Sequence, residues 1–292
     1  MKSLSSICLC ILLLCMIASG QSTDSRKATI TFTSLSYPGA RWTVAYGVNN
    51  RGWIVGYYGD SLGLNHGLLY RNNSYRSFDF PEGTNTNALG INDLGEIVGI
   101  YQGVDGLTHG FLRTEVGFIR IDYPGAANTL PYKINSADEI VGFFQNPGSS
   151  DGQGFEYQSG QFTAINYPGA SGTAAYGINN KGQIVGSYSS GSGTSGFIDD
   201  GGAFTSITVP DTDNPTLTGI TDKGLIVGWG QFDKHHTLVE QGFLDLQGTF
   251  RQLIYPSPAT STVVLGVNDR GQIVGTYYAD AQYGFIVTIS SP

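Results

Sequence analysis

The sequence is poor in charge and in cysteine, and it lacks any helical apolar stripe. Of its 292 residues only 13% are Asp, Glu, Lys or Arg, about half the usual share, which excludes a coiled coil and a charged disordered chain. Lys and Arg number 15 against 23 Asp and Glu, for a net charge of -8. A basic face for nucleic acid is therefore missing, and an anionic membrane surface would repel the chain. The three cysteines, Cys8, Cys10 and Cys15, all fall in the first 20 residues. That stretch reads as a leader: Lys2, an apolar run from Ile7 to Ile17, then Ala18-Ser19-Gly20, with Gln21 as the first mature residue. The run is too short to span a membrane. The expected mature chain has no thiol, hence no disulfide and no cysteine ligand or nucleophile, and relies on burial and hydrogen bonding outside the cell. There is no G-x-S-x-G, no phosphate-cradling glycine loop and no H-E-x-x-H, so the common nucleophile, nucleotide and zinc-hydrolase chemistries leave no signature.

What is abundant is glycine, 42 residues, together with 17 Tyr and 15 Phe, a composition suited to turn-rich β structure. The triplet I-V-G begins at Ile54, Ile97, Ile140, Ile184, Ile226 and Ile273, in steps of 43, 43, 44, 42 and 47 residues. Around it one phrase recurs: an aromatic-led segment ending in Pro, a Thr, then G-[IV]-[NT]-x-x-G, IVG with an aromatic, a variable loop, and G-F or G-L. In FTSLSYP, YRSFDFP, FIRIDYP and FTAINYP apolar residues alternate with small or polar ones, the period of a half-buried strand, and Pro ends it. N-N-K-G at Asn179–Gly182 is turn chemistry, with Gly supplying positive φ. In the third copy Asp138 takes that glycine's place, one of the few residues that tolerate the conformation.

Four strands in about 43 residues match one propeller blade. The expected fold is all-β, a six-bladed β-propeller of four-stranded repeats, with few helices. The chain starts on an orphan strand (Ala28 to Tyr37) and ends with three strands (Thr262 to Ile289) lacking a fourth, so the N-terminal strand is expected to complete the last blade and close the ring. An open β-solenoid is the alternative, but it would leave both ends uncapped. The domain reading is a signal peptide over 1–20, a short segment over 21–27 and one propeller domain over 28–292.

The phrase G-I-N-x-x-G-x-I-V-G-x-[YF], followed by H-G-F, resembles the probable extracellular HAF-repeat family of secreted bacterial proteins, across nearly the whole mature chain. The resemblance implies export and a propeller-like fold, and no catalytic residues. His66 and His109 hold the family's His place, while Gln153, Ser195, Gln241 and Tyr283 replace it elsewhere.

In such a ring the loops joining outer to inner strand, and second to third strand, gather at one mouth. They carry Trp42, Asp211, Asp213, Trp229 and Asp233 with other carboxylates, an acidic face with aromatic neighbours. Most such charges are ordinary solvated loop residues. Three departures from the repeat stand out. The longest loop, GWGQFDKHHTLVEQGF, holds Asp233, His235 and His236, a candidate divalent-cation or general-base cluster, although adjacent residues on an extended segment point opposite ways. No other cofactor is implied. Lys133 replaces the Gly of 47, 90, 177, 219 and 266 and must reach the channel or a carboxylate such as Asp138, the ion pair being the simpler expectation. Asp211-Thr212-Asp213-Asn214 alternates oxygen groups as calcium loops do, but a turn before Pro215 explains it equally well. The aromatics two residues after each IVG glycine, Tyr58, Tyr101, Phe144, Tyr188 and Tyr277, are either core or stacking platforms, with repetition at one strand position favouring core.

The sequence therefore describes a secreted monomer, extracellular or periplasmic in a Gram-negative host, that binds a glycan or protein ligand without catalysis. The candidate binding residues are Trp42, His66, His109, Lys133, Asp211, Asp213, Trp229, Asp233, His235 and His236. The competing function is a glycan hydrolase or lyase with paired carboxylates at the mouth, for instance Asp211 and Asp233. A structural surface protein would instead predict near-symmetric loops.

Overall fold

A computed structural model describes residues 29–191, 193–234 and 237–290. The leader with its cysteines, the segment over 21–27, Ala28, and the pair His235 and His236 lie outside the described residues. Within them, 24 strands form six four-stranded antiparallel sheets. Strand β1 spans Thr29–Leu35. Blade one is β2 (Trp42–Val48), β3 (Ile54–Gly59), β4 (Asn65–Arg71) and β5 (Ser74–Phe78). Blade two is β6 (Thr84–Ile91), β7 (Ile97–Gln102), β8 (Thr108–Thr114) and β9 (Gly117–Ile121). Blade three is β10 (Asn128–Ile134), β11 (Ile140–Gln145), β12 (Gly152–Gln158) and β13 (Gln161–Ile165). Blade four is β14 (Gly172–Ile178), β15 (Gln183–Ser190), β16 (Gly193–Asp200) and β17 (Ala203–Ile207). Blade five is β18 (Thr212–Ile220), β19 (Leu225–Lys234), β20 (Thr237–Leu246) and β21 (Thr249–Leu253). Blade six is β22 (Ser261–Val267), β23 (Ile273–Tyr278) and β24 (Gln282–Ser290), and β1 supplies its outer strand by pairing along β24 from Thr29↔Ser290 to Leu35↔Gly284. The ring is a six-bladed β-propeller closed by the N-terminal strand.

The repeated letters have packing causes. Val55, Val98, Val141, Val185, Val227 and Val274 are fully buried, and each neighbouring Ile is at most 5% exposed, because a second strand is covered on both faces by adjacent blades. Each IVG glycine runs against the inner strand: a Cβ at Gly56, Gly142 or Gly186 would lie 1.8, 2.2 or 1.9 Å from a carbonyl oxygen of Val44, Leu130 or Ala174. No side chain fits there. The Phe of G-F (Phe111, Phe155, Phe197, Phe243, Phe285) is at most 1% exposed and contributes about 2–3 kcal/mol of burial per blade.

The Asn of G-[IV]-N holds the ring together. Asn135 Oδ1 accepts from the amides of Ala137 and Glu139 at 3.0 Å, closing its own turn, while its Nδ2 donates to Asn179 O of the next blade at 3.0 Å. Asn49, Asn92, Asn179 and Asn268 repeat the arrangement, and Asn268 Nδ2 donates to Asn49 O at 2.8 Å across the chain-terminal seam. Blade five carries Thr221 and cannot complete this belt; there Thr218 Oγ1 reaches Val264 O at 2.9 Å instead. The turn glycines have φ from 76° to 94°, and Asp138 adopts 61° in the place of one of them. Every inner strand also carries a β-bulge, at Tyr46, Leu89, Tyr132, Tyr176, Thr218 and Leu265, which the repeat pattern does not announce.

Candidate functional site

The bulges position the channel. Tyr46 stands 6.4 Å from Tyr132, and Tyr132 stands 4.8 Å from Tyr176, centroid to centroid. Burial holds all three phenols above their usual pKa, the neighbouring tyrosines adding to it for Tyr46 and Tyr132. Lys133 crosses the bore among them. Its Nζ donates to Tyr46 O at 2.9 Å and Leu89 O at 3.1 Å, and lies 4.8 Å over the Tyr46 ring. The expected ion pair with Asp138 is not formed. Burial pushes the amine down to about 7. The residue keeps some accessible area, because the cavity beneath it admits water.

That cavity opens at the mouth formed by the N-x-x-G turns and has a volume of about 70 Å³, room for a few waters and too small for a sugar. Asp93, Asp222 and Asp269 line it, but as clamps: Asn50 donates its amide and Nδ2 to Asp93 at 2.7 and 2.9 Å, and the amides of Asn180 and Asp222 donate to Asp222 and Asp269 at 2.8 Å.

The larger cleft, about 410 Å³, opens at the other mouth, among the loops. Its origin is the residue directly after each IVG glycine: Tyr57, Ile100, Phe143, Ser187, Trp229 and Thr276. In blade four this residue is Ser187, flanked by Phe143 of blade three and Trp229 of blade five, and all three line the cleft. Gly172 and Ala174 on β14 keep the floor low, and Tyr176 ends it at the channel. The Phe143 ring lies against Gly152, where a Cβ would meet it at 1.9 Å, so only glycine leaves the ring its place. Asp151, Asn214 and Gln231 supply polar groups, with Asn214 Nδ2 reaching Gln231 Oε1 at 3.4 Å. The arrangement is two half-buried aromatic walls, a small floor and a polar rim, which suits a ligand with one apolar face and several hydroxyls.

The other sequence candidates do not converge on this cleft. Trp42, in blade one, donates Nε1 to Asn65 Oδ1 at 3.0 Å and stands beside Arg41. His66 is held between Asp79, 3.0 Å from Nδ1, and Asp60, 3.5 Å from Nε2. Burial pulls its pKa down, and the two carboxylates more than offset this, so the net shift is upward. His109 in blade two repeats the theme between Asp122 and Asp105, each at 3.1 Å, with Arg120 against Asp122. These histidines clasp loop to outer strand. Asp211 takes φ 55° and Asn214 φ 51° around the start of β18, a turn, with Asp213 exposed beside Asn214. The loop expected around Asp233 is an ordered extension of the β19–β20 hairpin down to Lys234↔Thr237, with Asp233 opposite Leu238. Among the described residues no three His, Asp or Glu side chains converge as a metal site requires.

Of the aromatics two residues past IVG, Tyr101, Phe144 and Tyr277 are buried core, and Tyr58 and Tyr188 are half-buried. Tyr58, Tyr101, Phe144, Tyr188 and Tyr277 each stack on a ring of the preceding loop, Tyr37, Phe80, Tyr123, Tyr167 and Tyr255, with centroids 3.6–3.8 Å apart and planes within 9°. The neighbouring Thr explains its own repetition: Thr43, Thr86, Thr129, Thr173 and Thr262 each accept that ring residue's amide at 2.9–3.0 Å. The cleft residues missed by sequence reasoning are Phe143, Tyr176, Ser187 and Gln231. Their signal was variation at one repeat position, Ser between Phe and Trp.

No protein-family model matches the chain, and no curated protein matches it. Solved structures do resemble it in shape. AofleA from Arthrobotrys oligospora superposes with a TM-score of 0.55 at 12% identity, over 94% of this chain and 93% of that one. The Aleuria aurantia lectin, solved with Fucα1-6GlcNAc, gives 0.52 at 12%, over 88% and 96%. The β-propeller domain of the Trilobed protease from Pyrococcus furiosus gives 0.52 at 9%, again over 88% and 96%. At such identities the likeness is one of fold, shared alike by a lectin and by a domain of a protease: the chain is a six-bladed β-propeller similar in fold to both.

Proposed function

We propose that the protein is a secreted, non-catalytic binding module whose blade-four cleft takes a neutral sugar unit of a glycan. The observation that carries this reading is the pair of aromatic walls, Phe143 and Trp229, set across the small Ser187 floor with Asp151, Asn214 and Gln231 at the rim. A pyranose presents an apolar C–H face to an aromatic ring and hydroxyls to carboxylate and amide groups. The volume, about 410 Å³, falls in the range of small-ligand sites. The Aleuria aurantia lectin, of like fold, is fucose-specific, which agrees with the reading without choosing the sugar. Among the described residues Asp151 is the one carboxylate lining the cleft, whereas two-carboxylate glycoside hydrolysis needs a pair. This favours binding over the hydrolase alternative. Export rests on the Lys2 to Gly20 leader pattern, and membership of the HAF-repeat family rests on the repeated phrase; both belong to the same proposal.

Titration calorimetry of the mature protein with neutral mono- and disaccharides tests it. Trp229→Ala is expected to cost about 2 kcal/mol, roughly thirtyfold in affinity, while Trp42→Ala leaves affinity unchanged. Equal binding by wild type and the Trp229 variant would remove the cleft from consideration.

A further inference from the structure

Blade five lacks a pair of rings that every other blade has. In the other five, the stacked pair is flanked edge-on by a ring of the outer strand, Tyr75, Phe118, Phe162, Phe204 or Phe32, at 5.1–5.7 Å. Blade five keeps the flanking ring, Phe250, 6.1 Å from Phe243, but has Val209 and Gly230 where the stacked pair belongs. Two groups refill part of the space. Phe232, two residues along the same strand face from Gly230, is buried to 4% exposure, and Thr212 Cγ2 lies 2.3 Å from where a Gly230 Cβ would sit. An open cavity of about 250 Å³ remains, with Val209, Phe232, Phe243 and Phe250 among its walls and Asp211 and Arg251 also lining it. Arg251 is half-buried and makes no salt bridge among the described residues.

We propose that this cavity is a second binding site, for a single aromatic ring bearing a carboxylate, the ring taking the place of the missing stacked pair and the carboxylate meeting Arg251. The sister blades show what the position accepts: a flat ring against an outer-strand aromatic. An apolar cavity of about 150 Å³ is enough to hold benzene, so about 250 Å³ leaves room for a substituent. A guanidinium at a partly desolvated rim pairs with a carboxylate in two parallel hydrogen bonds. Asp211 on the same rim takes a ring hydroxyl as donor and disfavours a second negative charge, so a monoanionic hydroxybenzoate fits better than a phthalate. The site owes nothing to the sugar cleft, which lies on the blade-four side of Trp229.

The test is saturation-transfer NMR and calorimetry on the mature protein with three probes: benzoate, benzyl alcohol and cyclohexanecarboxylate. Benzoate is expected to bind saturably and at least tenfold more tightly than either of the others. Val209→Tyr puts back the residue found at 37, 123, 167 and 255; it is expected to fill the cavity and abolish benzoate binding, with the fold intact by circular dichroism. Arg251→Gln is expected to weaken benzoate at least tenfold and leave benzyl alcohol unchanged, and it decides the matter if the Val209 variant does not fold. Trp229→Ala should leave benzoate binding intact. Absence of benzoate binding in the wild type, undiminished binding to a folded Val209→Tyr, or unchanged benzoate affinity in Arg251→Gln would overturn the proposal.

Discussion

Lys133 shows how one substitution alters a repeat scaffold. At the equivalent place in other blades the inner strands approach so closely that a Cβ on Gly47, Gly90 or Gly266 would meet a carbonyl oxygen of the next blade at 2.8–3.0 Å. Lys133 instead sends an amine to two such carbonyls, which satisfies buried acceptors but places a charge among tyrosines. Its pKa is about 7 in the fold against 10.5 for a free side chain. Above 10.5 the amine is neutral in both states and the fold bears no charging cost; as pH falls toward 7 the unfolded chain takes up the proton first, and that stability is lost. In urea unfolding, wild type minus Lys133→Met should rise with pH between 7 and 10 by up to about 1.4 kcal/mol per unit. A flat difference would mean that the amine is hydrated and unperturbed.

At the scale of the turn, the belt of asparagines explains why G-[IV]-N-x-x-G recurs. One side chain closes its own hairpin and clamps the next blade, because an amide carries its acceptor and its donor on separate atoms. Thr221 Oγ1 accepts from Leu225 N at 3.1 Å, but its short side chain carries no second polar atom to reach Asn268 O. Thr221→Asn is therefore expected to complete the belt and add about 1 kcal/mol, a rise of roughly 2–4 °C in melting temperature for a chain of this size. A lower melting temperature would show that blade five is shaped around its threonine. The asparagine was readable in the sequence as a turn residue. Its second role was not, because the partner carbonyl lies some 43 residues away in sequence, in the next blade. The same holds for Ser187: the six-fold IVG rhythm located its strand, but its significance arises from Phe143 and Trp229 on adjacent blades, a relation that appears only when the ring is closed. Repetition at one strand position favoured core for the stacked rings, which holds for Tyr101, Phe144 and Tyr277, while Tyr58 and Tyr188 stay half-buried; the gap in blade five became visible once the pairs were assembled. Lys133 was marked as exceptional by its neighbours' glycines, but carbonyl partners carry no sequence signal, and a carboxylate was the simpler guess.

At the scale of the molecule, the ring is closed without a covalent link or disulfide among the described residues. Strand β1 completes blade six through the register Thr29↔Ser290 to Leu35↔Gly284, Phe32 packs at 5.2 Å from Tyr255 and 5.9 Å from Phe285, and Ser34 Oγ is hydrogen-bonded to Tyr277 at 3.0 Å. Phe32→Ala should cost about 2 kcal/mol, since the ring is only half-buried, and hydrogen exchange should then quicken first in β24. Uniform loosening of all six blades would argue against the seam as the weak point. The two mouths divide the labour: carboxylates at the turn mouth are committed to inter-blade clamps, and the loop mouth holds the open cleft. That cleft, over blade four, is the proposed sugar site. Amide chemical-shift mapping of the mature protein saturated with a binding saccharide tests it most directly. The largest shifts are expected at Gly152, Gly172, Ser187, Trp229 and Gln231; shifts centred instead on the turn mouth, at Asn92, Asn135 and Asn179, or on blade one around Trp42 and His66, would contradict the assignment.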